Sequence, residues 1–182
     1  MASHPHFLWT DLFQSGKSRK VNPIINALSK NALFKTLTPR ELTYVSSLVY
    51  ERVYQPGEAI FQQNDRGLGM YIIVKGKIGI KSESLQGDTL LTTLGGGSFF
   101  GEIALVEPKN LRSASAEAID RSILLGFFKP DLLTLIDRNP AIGAKILFQL
   151  SSVLSRRLVE TTEKVTQLLN QGGETETYVK VV

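Results

Sequence analysis

The chain of 182 residues is 42% hydrophobic and 21% charged, which reads as a water-soluble domain long enough to bury a core of its own. Its formal charge is +4, but across residues 1–30 Lys17, Arg19, Lys20 and Lys30 face a single acid, Asp11, so most of the excess sits there and the remainder offers no broad basic face to nucleic acid. The absence of cysteine excludes disulfides, thiolate metal sites and a cysteine nucleophile. With no 18-residue apolar run and no basic-then-apolar leader, no membrane role is expected and a cytoplasmic location is.

Residues 1–21 read as a leader. Phe7, Leu8, Trp9, Leu12 and Phe13 make an apolar cluster, and both packing on the domain and docking to a partner fit it. His4 and His6 suggest at most a weak metal site or a cloning remnant, and no metal centre is expected. Ile24, Ile25, Leu28, Leu33 and Phe34 follow roughly helical spacing over 22–34. Thr38-Pro39-Arg40-Glu41 predicts a capping box that opens a helix burying Leu42, Val45, Leu48 and Val49.

From about 50 to 128 the pattern changes to short β-rich runs between turn residues. Val53-Tyr54 precedes Gln55-Pro56-Gly57, and Ala59-Ile60-Phe61 precedes Asn64-Asp65-Arg66-Gly67. Met70 to Val74 is continuously apolar, Ile78 and Ile80 alternate with Gly79 and Lys81, and Gln86-Gly87-Asp88 marks a hairpin turn into Leu90-Leu91. The run Gly95-Gly96-Gly97 fits a flexible loop or a close approach to ligand equally well. Leu111–Ile119 and Ser122–Phe128 supply the last strands. Lys129-Pro130-Asp131 opens a helix that Asn139-Pro140 breaks, and a long helix follows from about 141 to 170, roughly 45 Å. Leu147, Leu150, Leu154, Leu158, Thr161, Val165 and Leu168 keep 3-4 spacing along it, as in a coiled-coil seam. Gly172-Gly173 stops the helix, and 171–182 is a tail.

The most telling stretch is Phe100-Gly101-Glu102-Ile103-Ala104-Leu105 followed by Leu111-Arg112-Ser113-Ala114-Ser115. A carboxylate at a helical turn can accept from a ribose hydroxyl. A guanidinium can grip a phosphate in bidentate fashion, and backbone N–H groups at a helix start favour an anion. One phosphate fused to one ribose, a cyclic nucleotide, would satisfy all three. A surface turn carrying an unrelated ion pair is the bland alternative.

This stretch resembles the phosphate-binding cassette of cyclic-nucleotide-binding domains. Over 22–170 the chain is similar to the ligand-binding half of bacterial catabolite activator proteins. The resemblance implies an α+β fold, an antiparallel jelly-roll-like β-roll flanked by N-terminal helices and a long C-terminal helix. It also implies Gly101 and Glu102 at the ribose. Arg112, Ser113 and the N–H groups of Ile103 and Ala104 would meet the cyclic phosphate. Thr161 of one subunit and Thr162 of its partner would read adenine, with Arg157 supporting Glu102. The expected ligand is cyclic AMP, bound without turnover in a homodimer that pairs through the long helix and signals to an unidentified protein effector. Ser113 in place of Thr favours adenine over guanine. Leu111 departs from the Pro common in eukaryotic relatives. About twelve residues follow the long helix, so no helix-turn-helix and no direct DNA contact are expected. Competing readings are an enzyme, poorly served because Glu102 has no acid, nucleophile or metal cluster near it in sequence; a ligand-free scaffold; and the same fold with cyclic GMP or a cyclic dinucleotide.

Overall fold

The computed structural model describes residues 22–83, 87–107, 109 and 111–171. The expectations placed on the leader (1–21), including His4 and His6, and on the tail beyond 171 lie outside those residues. Helix α1 (Pro23–Lys30) starts at Asn22, whose side chain accepts from the Ile24 N–H at 2.9 Å. It ends earlier than its apolar spacing suggested, and Leu33 and Phe34 lie fully buried in the turns that follow. Helix α2 (Pro39–Ser46) carries the expected capping box: Thr38 accepts from the Glu41 N–H, and Glu41 accepts from the Thr38 N–H.

Among the described residues eight strands follow: β1 (Tyr50–Tyr54), β2 (Ala59–Phe61), β3 (Gly69–Lys75), β4 (Lys77–Ser82), β5 (Thr89–Gly95), β6 (Phe99–Phe100), β7 (Ser115–Ala118) and β8 (Ser122–Phe128). They form two four-stranded sheets, β1-β8-β3-β6 and β2-β7-β4-β5, with every pairing antiparallel. A 3-10 turn (Glu102–Leu105) separates β6 from β7. Helices α3 (Lys129–Arg138) and α4 (Pro140–Gln171) close the chain.

Alternation along β3 explains the layering. Met70 and Ile72 join Phe99, Leu125 and Phe127 in a core beneath the helices, while Tyr71 and Ile73 turn to the interior between the sheets with Tyr54, Ile78, Phe100 and Leu124. A strand covered on both faces has no polar side to show, which is why Met70 to Val74 reads as one apolar run. The helical layer is tied down by charge as well: Lys145 of α4 donates to both Glu41 oxygens at 2.7 and 3.0 Å.

Within the β-roll one expected boundary moves and one open alternative narrows. Strand pairing in the expected 111–119 run begins only at Ser115, because Leu111 makes an isolated bridge to Arg66 and the backbone of Arg112 is bonded to Asn64 and Asp65. The Gly95–Gly97 run is a fixed turn: the Gly97 N–H donates to the Ile73 carbonyl at 2.8 Å, and the Gly97 carbonyl accepts from buried Asn31 at 3.3 Å. Gly97 supplies the positive φ of +87° that the turn needs.

The 32 residues of α4 span about 48 Å. Its first half is part of the core, with Ile142, Ile146, Leu150 and Val153 buried and Leu147 and Leu154 packed against it. Beyond Leu154 the apolar side chains are exposed: Leu158 by 65%, Val165 by 46%, Leu168 by 68%. The apolar stripe expected as one seam over 147–168 is therefore divided, and its N-terminal part is taken up by the chain's own domain.

Candidate functional site

Strand β6 brings the chain to Gly101, which takes a left-handed φ of +73° and turns it into the 3-10 segment. That turn carries Glu102 inward, leaving it 3% exposed. A buried carboxylate without a partner would be strongly disfavoured. Its partner comes from 55 residues away: Arg157, on the exposed half of α4, makes an ion pair with Glu102 Oε1 and donates through Nη2 to the Phe99 carbonyl at 3.3 Å. The guanidinium also lies 5.1 Å from the Phe99 ring centroid.

Arg112 is buried differently. The loop 62–66 holds its backbone, the Arg112 N–H donating to the Asp65 carbonyl and the Asn64 N–H to the Arg112 carbonyl, both at 2.9 Å. Its side chain is 6% exposed. Nη1 donates to the carbonyls of Gly69 and Gly101 at 2.8 and 3.0 Å. Among the described residues Nε has no partner, and no carboxylate forms an ion pair with this guanidinium. Burial pulls the group below the ordinary arginine value, and the nearby Tyr71, Asp65 and Glu102 oppose that shift. Arginine stays charged regardless. The result is a desolvated cation whose hydrogen bonds, among the described residues, go only to neutral carbonyls from Nη1, and whose remaining Nε and Nη2 donors suit an anion.

Glycines make this arrangement possible. A Cβ on Gly67 would lie 2.7 Å from Arg112 Cζ and Nε, and one on Gly101 would lie 2.6 Å from Nη1. Ring faces complete the enclosure: Phe61 lies 3.9 Å and Tyr71 6.0 Å from the guanidinium, centroid to Cζ.

The remaining expected residues are less gathered. Ser113 and the Ile103 side chain are exposed next to the site. The Ala104 N–H is engaged within the turn, donating to the Gly101 carbonyl at 3.3 Å. Thr161 and Thr162 lie one turn beyond Arg157. Each hydroxyl donates to the carbonyl four residues back, at 2.7 and 2.9 Å, which leaves its oxygen free to accept. The structure thus joins Gly101 to Arg112 and Glu102 to Arg157, while among the described residues no hydrogen bond joins the two threonines to the 101–113 segment. Phe61, Gly67, Gly69, Tyr71 and Phe99 were not among the expected site residues. One signal was legible for two of them: glycines on both sides of Leu68 at the mouth of a strand, where a strand glycine often marks a close approach.

Residues 51–139 match the family model described as a cyclic nucleotide-binding domain. The chain is 37% identical over 129 residues to the cyclic AMP receptor protein of Thermus thermophilus, covering 70% of this chain and 57% of that protein. It is 30% identical over 131 residues to the rod photoreceptor cyclic nucleotide-gated channel alpha subunit of Gallus gallus, covering 69% of this chain and 20% of the channel. A crystal structure of the Thermus thermophilus catabolite activator protein superposes with a TM-score of 0.68 at 35% identity, covering 76% of this chain and 63% of that one. The chain thus spans little more than half of the bacterial regulator and a fifth of the channel subunit.

Proposed function

The chain belongs to the cyclic nucleotide-binding domain family over residues 51–139, and from that premise we propose that it is a sensor of cyclic AMP that binds the nucleotide without turning it over. The observation that carries the reading is Arg112, a buried guanidinium with an unpartnered Nε and only neutral carbonyls as acceptors. A singly charged cyclic phosphate supplies the missing counter-charge. Glu102 is the acceptor for the ribose hydroxyl, and Ser113 and the Ile103 N–H lie at the rim as further donors. Cyclic AMP is preferred to cyclic GMP because Ser113 replaces threonine and because Thr161 and Thr162 keep acceptor oxygens for the adenine amino group.

The readout runs through α4. Arg157 links Glu102 to that helix, so a ribose competing for the same carboxylate alters the hold on α4. The exposed leucines beyond Leu154 are the surface through which two copies pair and the effector is addressed.

Calorimetry with cyclic AMP, cyclic GMP, a cyclic dinucleotide and 5′-AMP tests the ligand. Cyclic AMP should bind most tightly with no loss of nucleotide over hours, and at 100 times its Kd should stabilise the fold by about 2.7 kcal/mol. Equal or tighter binding of cyclic GMP removes the adenine assignment, and hydrolysis removes the sensor assignment. Light scattering tests the pairing: Leu158→Asp with Leu168→Asp should convert a dimer to a monomer, because a charge would be buried at the seam.

A further inference from the structure

We infer that Phe61 is a positioning residue of the anion site: it acts on the ligand through Arg112, carrying the guanidinium on its ring so that the cation is set before the ligand arrives. The inference rests on the cyclic-nucleotide reading and deepens it.

Three observations lead there. The Arg112 guanidinium carbon lies 3.9 Å from the Phe61 centroid, close enough for full contact between ring and cation. Phe61 is itself wedged, its centroid 6.1 Å from Tyr71 and 5.8 Å from Phe100, while those two rings stack at 5.6 Å. Its direction is set by a β-bulge. Ala59 pairs with Glu117 but Phe61 pairs with Ala116, so two steps on β2 match one on β7, and such an irregularity re-aims the side chain.

The physical consequence is specific. Arginine carries several rotatable bonds, and holding it still before binding removes part of the entropy that binding would otherwise have to remove. Two carbonyls fix Nη1, but a pair of bonds to one nitrogen leaves the guanidinium free to tilt about it. The ring blocks that tilt and keeps water from one face, which strengthens the attraction of Nε for an anion. A leucine in its place would fill similar space and exclude similar water, without a flat, electron-rich face.

Titration with cyclic AMP of the wild type, Phe61→Leu, Phe61→Tyr, Arg112→Ala and the Phe61→Leu/Arg112→Ala double variant tests this. Phe61→Leu should lose about tenfold in affinity, about 1.4 kcal/mol, and Phe61→Tyr should stay within about twofold of the wild type. In the Arg112→Ala background Phe61→Leu should change affinity by less than about twofold, since its effect passes through the missing group. The same tenfold loss in both backgrounds makes Phe61 a packing residue and overturns the inference. No binding of any cyclic nucleotide by the wild type overturns the functional reading instead, and the inference with it. Should Phe61→Leu not fold, the unliganded wild type still decides: the Arg112 Nε–H proton resonance should lie upfield of that of free arginine through the ring current, and an unshifted resonance overturns the inference.

Discussion

Arg112 and Glu102 sit ten residues apart on one segment, yet the fold holds them in opposite ways. Arg112 is gripped by the β-roll alone, through two glycine carbonyls and an aromatic face. Glu102 is gripped by α4, through a single side chain 55 residues away. One end of the site is therefore preset and local, and the other is coupled to a helix whose far half is exposed. On the proposed function, the first kind of contact sets how tightly the anion is held. On the same proposal, the second makes occupancy of the site felt elsewhere, because a ligand that draws on the Glu102 carboxylate changes what α4 is attached to. The same division runs along α4: up to Leu154 one face of the helix belongs to the core, and beyond it the helix is tied to the domain at Arg157 while its apolar side chains are exposed.

Four substitutions test this contrast. The largest effect belongs to Arg112→Ala, which removes the charge-assisted contact proposed for the phosphate. Cyclic AMP affinity should fall about 100-fold by calorimetry, near the upper range for one hydrogen-bonded charge. Next is Gly67→Ala. Its Cβ would lie 2.7 Å from Arg112 Nε and 2.9 Å from Ala104 Cβ, so the guanidinium must move; a loss of about tenfold is expected with the Glu102–Arg157 pair untouched.

Arg157→Met acts on the other end. It leaves a buried carboxylate unpaired, so the unliganded protein should lose about 1–2 kcal/mol in denaturant unfolding, less than for a fully buried pair because Arg157 is 42% exposed. Affinity should change only a few-fold, while hydrogen exchange along 155–171 should become insensitive to ligand. A large loss of affinity with preserved ligand-dependent exchange would reverse the roles assigned to the two ends.

The smallest effect is expected for Lys145→Met, which cuts the tie between α2 and the core half of α4. Lys145 and the Thr38 N–H hold the Glu41 carboxyl below its ordinary value. The folded-state value is thus depressed, so the stabilisation is present above the unfolded glutamate value of about 4.3 and is lost as pH falls through the lower folded value. Since the pair is partly solvated, about 0.5 kcal/mol should disappear at neutral pH, with no change in cyclic AMP affinity.

Much of this molecule is written in local chemistry. The capping box at Thr38, the breaks at Asn139-Pro140, the turn at Pro56-Gly57 and the apolar run of β3 each depend on a residue's own backbone preferences or on a period of two or 3.6, and those are visible without a partner. The Gly101-Glu102 and Arg112 spacing is legible for a related reason: a left-handed turn, a carboxylate and a guanidinium must recur in that order for the chemistry to assemble. What the sequence determined by itself is thus the fold class, the order of the elements and the two charged residues, Glu102 and Arg112, that the fold then buries. Tertiary structure decided what encloses them. Phe61 meets Arg112 across 51 positions, and Gly67 is needed only because a guanidinium passes above it; the Arg157–Glu102 pair, 55 positions apart, was expected from the family resemblance and not from any local pattern. It also decided how the leucine stripe of α4 is spent. A 3-4 repeat says that one face of a helix is apolar, but whether a leucine on that face meets its own sheet or a second molecule depends on where the sheet ends, and here that is at Leu154.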